Sequence, residues 1–409
     1  MVTIDEIDLL DRDRFTQGIP HEWFTWLRNN RPVHWHEEPG GPGFWVITKL
    51  ADVTACNRDA ASFSSAQRYG GVVGLEGPTE AAPGTEAIGQ MMLYMDPPDH
   101  TRYRKLVNRG FTPRMIGALE EHVRELTARI LDEAMAKGDC DFVVDIAAEL
   151  PLEVIAELLG VPREDRHKLF EWSNRLVGSE DPEYQVDQSL VTEASVEMFT
   201  YAQKLADQRR AEPRDDIVTT LLNAEVDGDS LSELDFNLFF MLLSVAGNET
   251  TRNAIAHGMN AFLEHPVQWD RLVADPDGMM GTAVEEILRW ASPVLYFRRN
   301  AVRDVTLRDV TIKAGDKISL WYISANRDEE VFPEPFAFDI GRDPNPHIAF
   351  GGGGPHFCLG AQLARLEIRV LFEELIARVA RVEQLGAPDR LRSNFVGGIK
   401  HLPVRLHAR

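Results

Sequence analysis

The chain has 409 residues, 44% hydrophobic and 26% charged, the composition of an ordinary globular protein with room for a large core and a bound cofactor. With 43 Lys and Arg against 65 Asp and Glu, the formal charge is −22, which argues against nucleic acid as the main partner because phosphate neutralisation needs clustered cations. Acids at Asp5, Glu6 and Asp8 stand where a signal peptide is basic, and no run of about 18 apolar residues offers a membrane span, so a cytoplasmic protein is expected.

In chain order, Val33-His34-Trp35 and Phe44 to Ile47 read as short strands. Ser64 to Gln90, rich in Gly, Pro, Ala and Ser, has no clear period, and a loop of that length inside a compact chain reads either as a functional or mobile segment or as a plain surface insertion. Pro113 to Lys137, Leu150 to Leu159 and Val191 to Arg210 carry apolar residues at helical spacing, the second ended by Gly160 and Pro162. Val305 to Ile312 and Lys317 to Tyr322 read as further strands.

Two segments break local rules. Ser232-x-x-Asp235 signals a helix start, and the helical pattern then runs without proline to Glu264. About 30 residues span roughly 45 Å, so this helix must cross the core. Its middle nevertheless reads Ser244-Val245-Ala246-Gly247-Asn248-Glu249-Thr250-Thr251. Gly weakens a helix and a buried carboxylate needs partners, so failures grouped like this point to a functional site. The second segment is Phe350 to Gly360, where four glycines precede Pro355-His356-Phe357-Cys358. They let the backbone approach a flat ligand closely, and Cys358 then opens a helical pattern, Leu359 to Ala377. Backbone N–H groups near a helix start favour a thiolate. A phosphate-binding loop does not fit, since no Gly-Lys-Ser/Thr follows the glycines. Cys56, Cys140 and Cys358 lie too far apart for a Cys-x-x-Cys metal, redox or covalent-haem pattern.

Over nearly its whole length the sequence resembles the cytochromes P-450. Phe350, Gly353, His356, Cys358 and Gly360 match the family's haem-binding turn, lengthened by one residue between Phe and Cys. Ala246-Gly247-Asn248-Glu249-Thr250 matches the distal-helix motif, Glu286-Ile287-Leu288-Arg289 the Glu-x-x-Arg motif, and His100 to Arg104 the His-x-x-x-Arg motif. The resemblance implies a mainly α fold, a triangular helical prism with a smaller β-rich region, forming one catalytic domain over residues 1–409. It implies haem b (iron protoporphyrin IX) with Cys358 as the axial thiolate, which pushes electron density onto iron and favours O–O cleavage.

By the same resemblance, His100, Arg104, Arg299 and His356 hold the haem propionates, and Glu249 and Thr250 are the acid–alcohol pair that guides protons through ordered water. Gly247 lets the helix open locally for dioxygen. Glu286 and Arg289 are structural. Their usual third partner is an Arg or His in a Pro-x-x-Phe turn, here Pro335-Phe336-Ala337-Phe338, so Arg342 or a water is expected to substitute for Ala337.

Electrons are expected from NAD(P)H through a ferredoxin reductase and a ferredoxin, because the chain has no flavin or iron–sulfur motif. Arg102, Lys105, Arg109, Arg365 and Arg369 are candidates for a basic docking patch, or for helix charges that balance nearby acids. The implied activity is hydroxylation of a C–H bond with dioxygen. A haem-based sensor would not need Glu249-Thr250 and would carry a signalling domain, for which no residues remain; peroxide-driven haem enzymes lack the acid–alcohol pair. The sequence is most similar to a bacterial subset acting on steroid side chains and methyl-branched lipids, and Val245, Ala246, Val294, Leu295 and Phe395 are expected in the substrate wall. An apolar wall of this kind equally admits a terpenoid such as linalool.

Overall fold

The apolar positions that recur at helical spacing collect helices around one large core, with a smaller sheet at its side. The computed structural model describes residues 2–409 except 78–87, 178–180, 185–187, 215 and 227. The helix Glu233–Glu264 crosses the centre. Its start is a capping box: Ser232 Oγ accepts from the Asp235 N–H at 3.1 Å, and the Asp235 carboxylate accepts from the Ser232 N–H at 3.0 Å. Phe236, Phe240, Ile255 and Phe262 along it are all buried. Around it pack Glu149–Leu158, Gln188–Ala211, Pro276–Ala291 and Ala361–Arg378. Among the described residues, no helix is long and apolar enough to cross a membrane.

The main sheet has five strands in the order Val33–His36, Phe44–Ile47, Lys317–Trp321, Tyr296–Ala301, Phe63–Ser64. The Phe44–Ile47 and Lys317–Trp321 pair is parallel and the others antiparallel. Its faces bury Phe44, Val46, Ile318 and Trp321. A second sheet joins Val379–Gln384, Pro403–Ala408 and Asp139–Asp141.

Several expected boundaries move, each for a local reason. Pro113 to Lys137 is two helices, Pro113–Ala118 and Glu120–Lys137: the Leu119 N–H closes a tight turn on the Ile116 carbonyl just after Gly117. Val305 to Ile312 is a hairpin, Val305–Leu307 paired with Val310–Ile312, reversed through Arg308 at φ +56°. The strand from Lys317 ends at Trp321, where Tyr322 begins a helical turn. The helix after the glycines begins at Ala361, so Cys358 precedes it instead of opening it. Of the expected loop Ser64 to Gln90, residues 78–87 lie outside the described residues; Gln67–Tyr69 and Ile88–Gln90 are short helical turns.

Candidate active site

An interior cavity of about 240 Å³ lies between the long helix and the Gly351–Gly360 turn. Leu243, Ala246, Gly247, Thr250, Thr251 and Ala254 line it from one side, the i, i+3, i+4 spacing of one helix face. Cys358 and Leu359 line it from the opposite side. Gly351 to Gly354 all have positive φ (101°, 66°, 100° and 81°), a run of left-handed backbone that L side chains rarely adopt. A side chain at Gly354 would meet the Asn57 carbonyl oxygen at 2.3 Å. The turn closes when the Cys358 N–H donates to the Phe350 carbonyl at 3.0 Å.

The Cys358 thiol is enclosed by protein, and its accessible surface opens into the cavity. Burial pushes its pKa up, opposed by the Gly360 N–H and by Arg104 and Arg365. His100, Arg104, Arg299 and His356 all line the same cavity. The His100 and His356 rings stand 4.2 Å apart, and His356 Nε2 bonds the Met95 carbonyl at 3.0 Å. Both nitrogens of His100 are buried without a protein partner. Burial, with Arg104 and Arg299 nearby, pulls His100 down to about 4, and burial holds His356 well below its ordinary value. Arg298 turns away from the cavity to Asn300, and Arg299 alone of the pair lines it.

Thr250 faces the cavity, but its hydroxyl donates back to the Ala246 carbonyl at 2.8 Å. Glu249 does not face it. Its carboxylate pairs with Arg252, accepts from Asn253 Nδ2 at 3.0 Å, and lines a second cavity of about 20 Å³ with Tyr184 and Lys400. That volume holds one water. The helix thus turns the acid and the alcohol of the expected pair toward separate cavities. Nor does Gly247 open the helix, which is α-helical throughout Glu233–Glu264. Gly247 makes room for Ile155 instead, since a Cβ there would meet Ile155 Cδ1 at 2.5 Å.

Two of the five residues expected in the substrate wall line this cavity. Ala246 and Val294 line the cavity, together with Met92, Leu93 and Phe297. Val245 packs into the helical core, and Leu295 is fully buried in the cluster below the sheet. Phe395 packs edge-on against Tyr296 and Phe297 and does not line the cavity. The sequence reading missed Val72, Phe111, Ile155, Phe239, Leu242 and Leu243. Helical phase around Thr250 points to Leu243; the rest are set by tertiary packing.

Glu286 and Arg289 form a fully buried bidentate pair at 2.7 Å. Arg342 Nε reaches Glu286 at 3.2 Å and supplies the third member, while Ala337 contributes its carbonyl to Arg289 and Arg342. Of the candidate docking cations, Arg102 pairs with Asp229, Arg365 with Glu285, and Arg369 with Glu120 and Glu373.

Residues 78–380 match the family model described as Cytochrome P450. The chain belongs to the cytochrome P450 family. A steroid C26-monooxygenase of Mycolicibacterium smegmatis is 44% identical over 407 residues, covering 98% of this chain and 93% of that protein. A methyl-branched lipid omega-hydroxylase of Mycobacterium tuberculosis is 44% identical over 414 residues, covering 98% and 95%. A solved Mycobacterium marinum cytochrome P450 in complex with pseudoionone superposes with TM-score 0.89 at 40% identity, covering 99% of each chain. This P450 is thus a haem-dependent monooxygenase with a cysteine thiolate as the axial ligand. The residues present fit such a group: a thiol enclosed on one wall, a glycine turn without side chains beside it, and a buried histidine whose two nitrogens have no protein partner.

Proposed function

We propose that the chain, as one catalytic domain over residues 1–409, hydroxylates an extended apolar substrate, a steroid side chain or the terminal carbon of a methyl-branched lipid. The observation carrying this reading is the cavity wall beyond Thr250, formed by Val72, Met92, Phe111, Phe239, Leu242 and Val294. Such a wall holds a substrate by burial, at about 25 cal/mol per Å² removed from water. The names of the two 44% identical relatives agree with it.

Cys358 would hold the haem iron through its thiolate, and His100, Arg104, Arg299 and His356, which line the same cavity, would hold the propionates by charge-assisted and neutral hydrogen bonds. When bound, haem would supply the monooxygenation chemistry, in which one oxygen of dioxygen enters a C–H bond and the other leaves as water at the cost of two electrons and two protons. Thr250 donates to Ala246 O and keeps its oxygen lone pairs available to accept from a cavity water. Glu249, one residue away, takes protons on the side of the small cavity and passes them on through water. A cytoplasmic ferredoxin, reduced by NAD(P)H through its reductase, delivers the electrons.

Titrating cholest-4-en-3-one, a methyl-branched fatty acid and a monoterpene alcohol into the ferric enzyme tests the substrate class. The expected result is a low-to-high-spin shift with the first two. A shift with the terpene alone overturns the proposal.

A further inference from the structure

The strand Lys317–Trp321 begins with a lysine that has no contact with water, its side chain being 0% exposed. Its ammonium pairs with Glu38, itself 3% exposed, and donates to the carbonyls of Leu75 at 2.6 Å and Gly77 at 3.0 Å, so all three protons are used. Glu38 in turn accepts from the Gly77 N–H at 2.6 Å and the Gly43 N–H at 3.2 Å. A buried ion pair is a poor source of stability, because desolvation offsets its attraction and apolar residues of similar volume do as well. What it does provide is one fixed geometry.

The geometry it fixes is that of Tyr69–Gly77. This segment contains Gly70, Gly71, Gly74 and Gly77, all at positive φ, and has few side chains with which to pack. Leu75 is buried in the cluster beside the sheet and Glu76 pairs with Arg12; elsewhere the segment is held by its backbone. Asn300 Nδ2 donates to the Gly71 carbonyl and the Arg298 N–H to the Val72 carbonyl, both at 2.8 Å, one strand over from Lys317. Lys317 and Glu38 grip the far end. Val72 stands at the inner end of the first grip, before the Leu75–Gly77 end that Lys317 and Glu38 hold; it is 1% exposed and forms part of the cavity wall.

We propose that the Glu38–Lys317 pair is a positioning element that sets where Val72 stands in the wall, and thereby how wide a ligand the cavity takes. The proposal rests on reading this cavity as the substrate cavity, but not on which substrate fills it. Neither residue touches the cavity, so both act through the loop.

The test compares the haem-loaded wild type, Lys317→Met/Glu38→Leu and Val72→Ala. Two iron-binding azoles, imidazole and the bulky clotrimazole, serve as probes, and hydrogen exchange is followed over residues 69–77. Because azoles report width whatever the natural substrate, failure of the lipid titration leaves this test intact. In the double variant, amide protection over Tyr69–Gly77 is expected to fall, and the ratio of the two azole Kd values to change by about fivefold, as in Val72→Ala. Unchanged protection, or a ratio within about twofold of wild type while Val72→Ala shifts it, overturns the proposal. Should the double variant not fold, Glu38→Gln, which keeps the acceptor and removes the charge, is expected to show the same changes at smaller size. Its indifference to both readouts overturns the proposal equally.

Discussion

Glu249 and Thr250 are neighbours in sequence, yet one lines a cavity of about 20 Å³ and the other a cavity of about 240 Å³ on another face of the same helix. A proton taken up at one must pass the helix to reach the other. Thr250→Ala should still bind haem and substrate but divert reducing equivalents to peroxide, read as product formed per NAD(P)H consumed. Glu249→Gln should slow turnover and leave the substrate Kd unchanged. Full coupling in Thr250→Ala would remove this hydroxyl from the relay.

Cys358→Ala should abolish the red-shifted Soret band of the reduced CO complex. Cys56→Ala and Cys140→Ala should keep it, since both thiols are buried away from the cavity. Retention of the thiolate spectrum in Cys358→Ala would refute the ligand assignment.

Arg289→Ala should be among the most damaging single changes outside the cavity. It leaves the Glu286 carboxylate buried with Arg342 at its edge, and a broken buried pair costs about 3–5 kcal/mol. Arg342→Ala, which leaves the bidentate pair intact, should cost clearly less. Urea unfolding of the two variants checks the order, and equal losses would contradict it.

Glu367 lines the large cavity, is fully buried, and has a carboxylate oxygen without a partner; burial pushes its pKa well above the usual range. The folded protein therefore holds this proton to higher pH than the unfolded chain, which releases it near pH 4.3. Between those two values the folded state binds more protons, so this group's contribution to stability falls as pH rises, by about 1.4 kcal/mol per unit. Glu367→Gln should flatten that slope in denaturant midpoints measured against pH. It should also remove a protonated-carboxyl stretch from the infrared spectrum recorded just above pH 4.3, where an ordinary glutamate is ionised. An unchanged slope and spectrum would mean that Glu367 is ionised.

Much of the site was legible because its chemistry needs particular residues at fixed spacing. Cys358 after four glycines, and His100 four residues before Arg104, are readable without a fold, as is the capping box that starts the long helix at Ser232. Helical phase is legible too. It separates Val245 and Glu249 from Ala246 and Thr250, and so foretells that the acid and the alcohol face different ways. Leu295 and Phe395 were misplaced for another reason: an apolar residue beside a cavity residue looks the same in sequence whether it faces the cavity or the core behind it. Only the packing of Tyr296 and Trp321 decides it. The grip of Lys317 on Leu75 and Gly77 could not be read at all, because a carbonyl leaves no mark in a sequence.

The turn Gly351–Gly354 has a consequence for how tightly the protein holds its prosthetic group. Fixing one residue's backbone costs about 1–2 kcal/mol in conformational entropy, and glycine has the most freedom to lose. Four in succession, all in left-handed conformations, make this short stretch one that the chain alone does not favour. A group bound against it would favour the conformation already held by the Cys358 N–H on the Phe350 carbonyl, and the observed affinity would be the contact energy less whatever entropy that binding still has to remove. Alanine, which elsewhere stabilises a fold by narrowing the unfolded ensemble, would here meet positive φ and lose on both accounts.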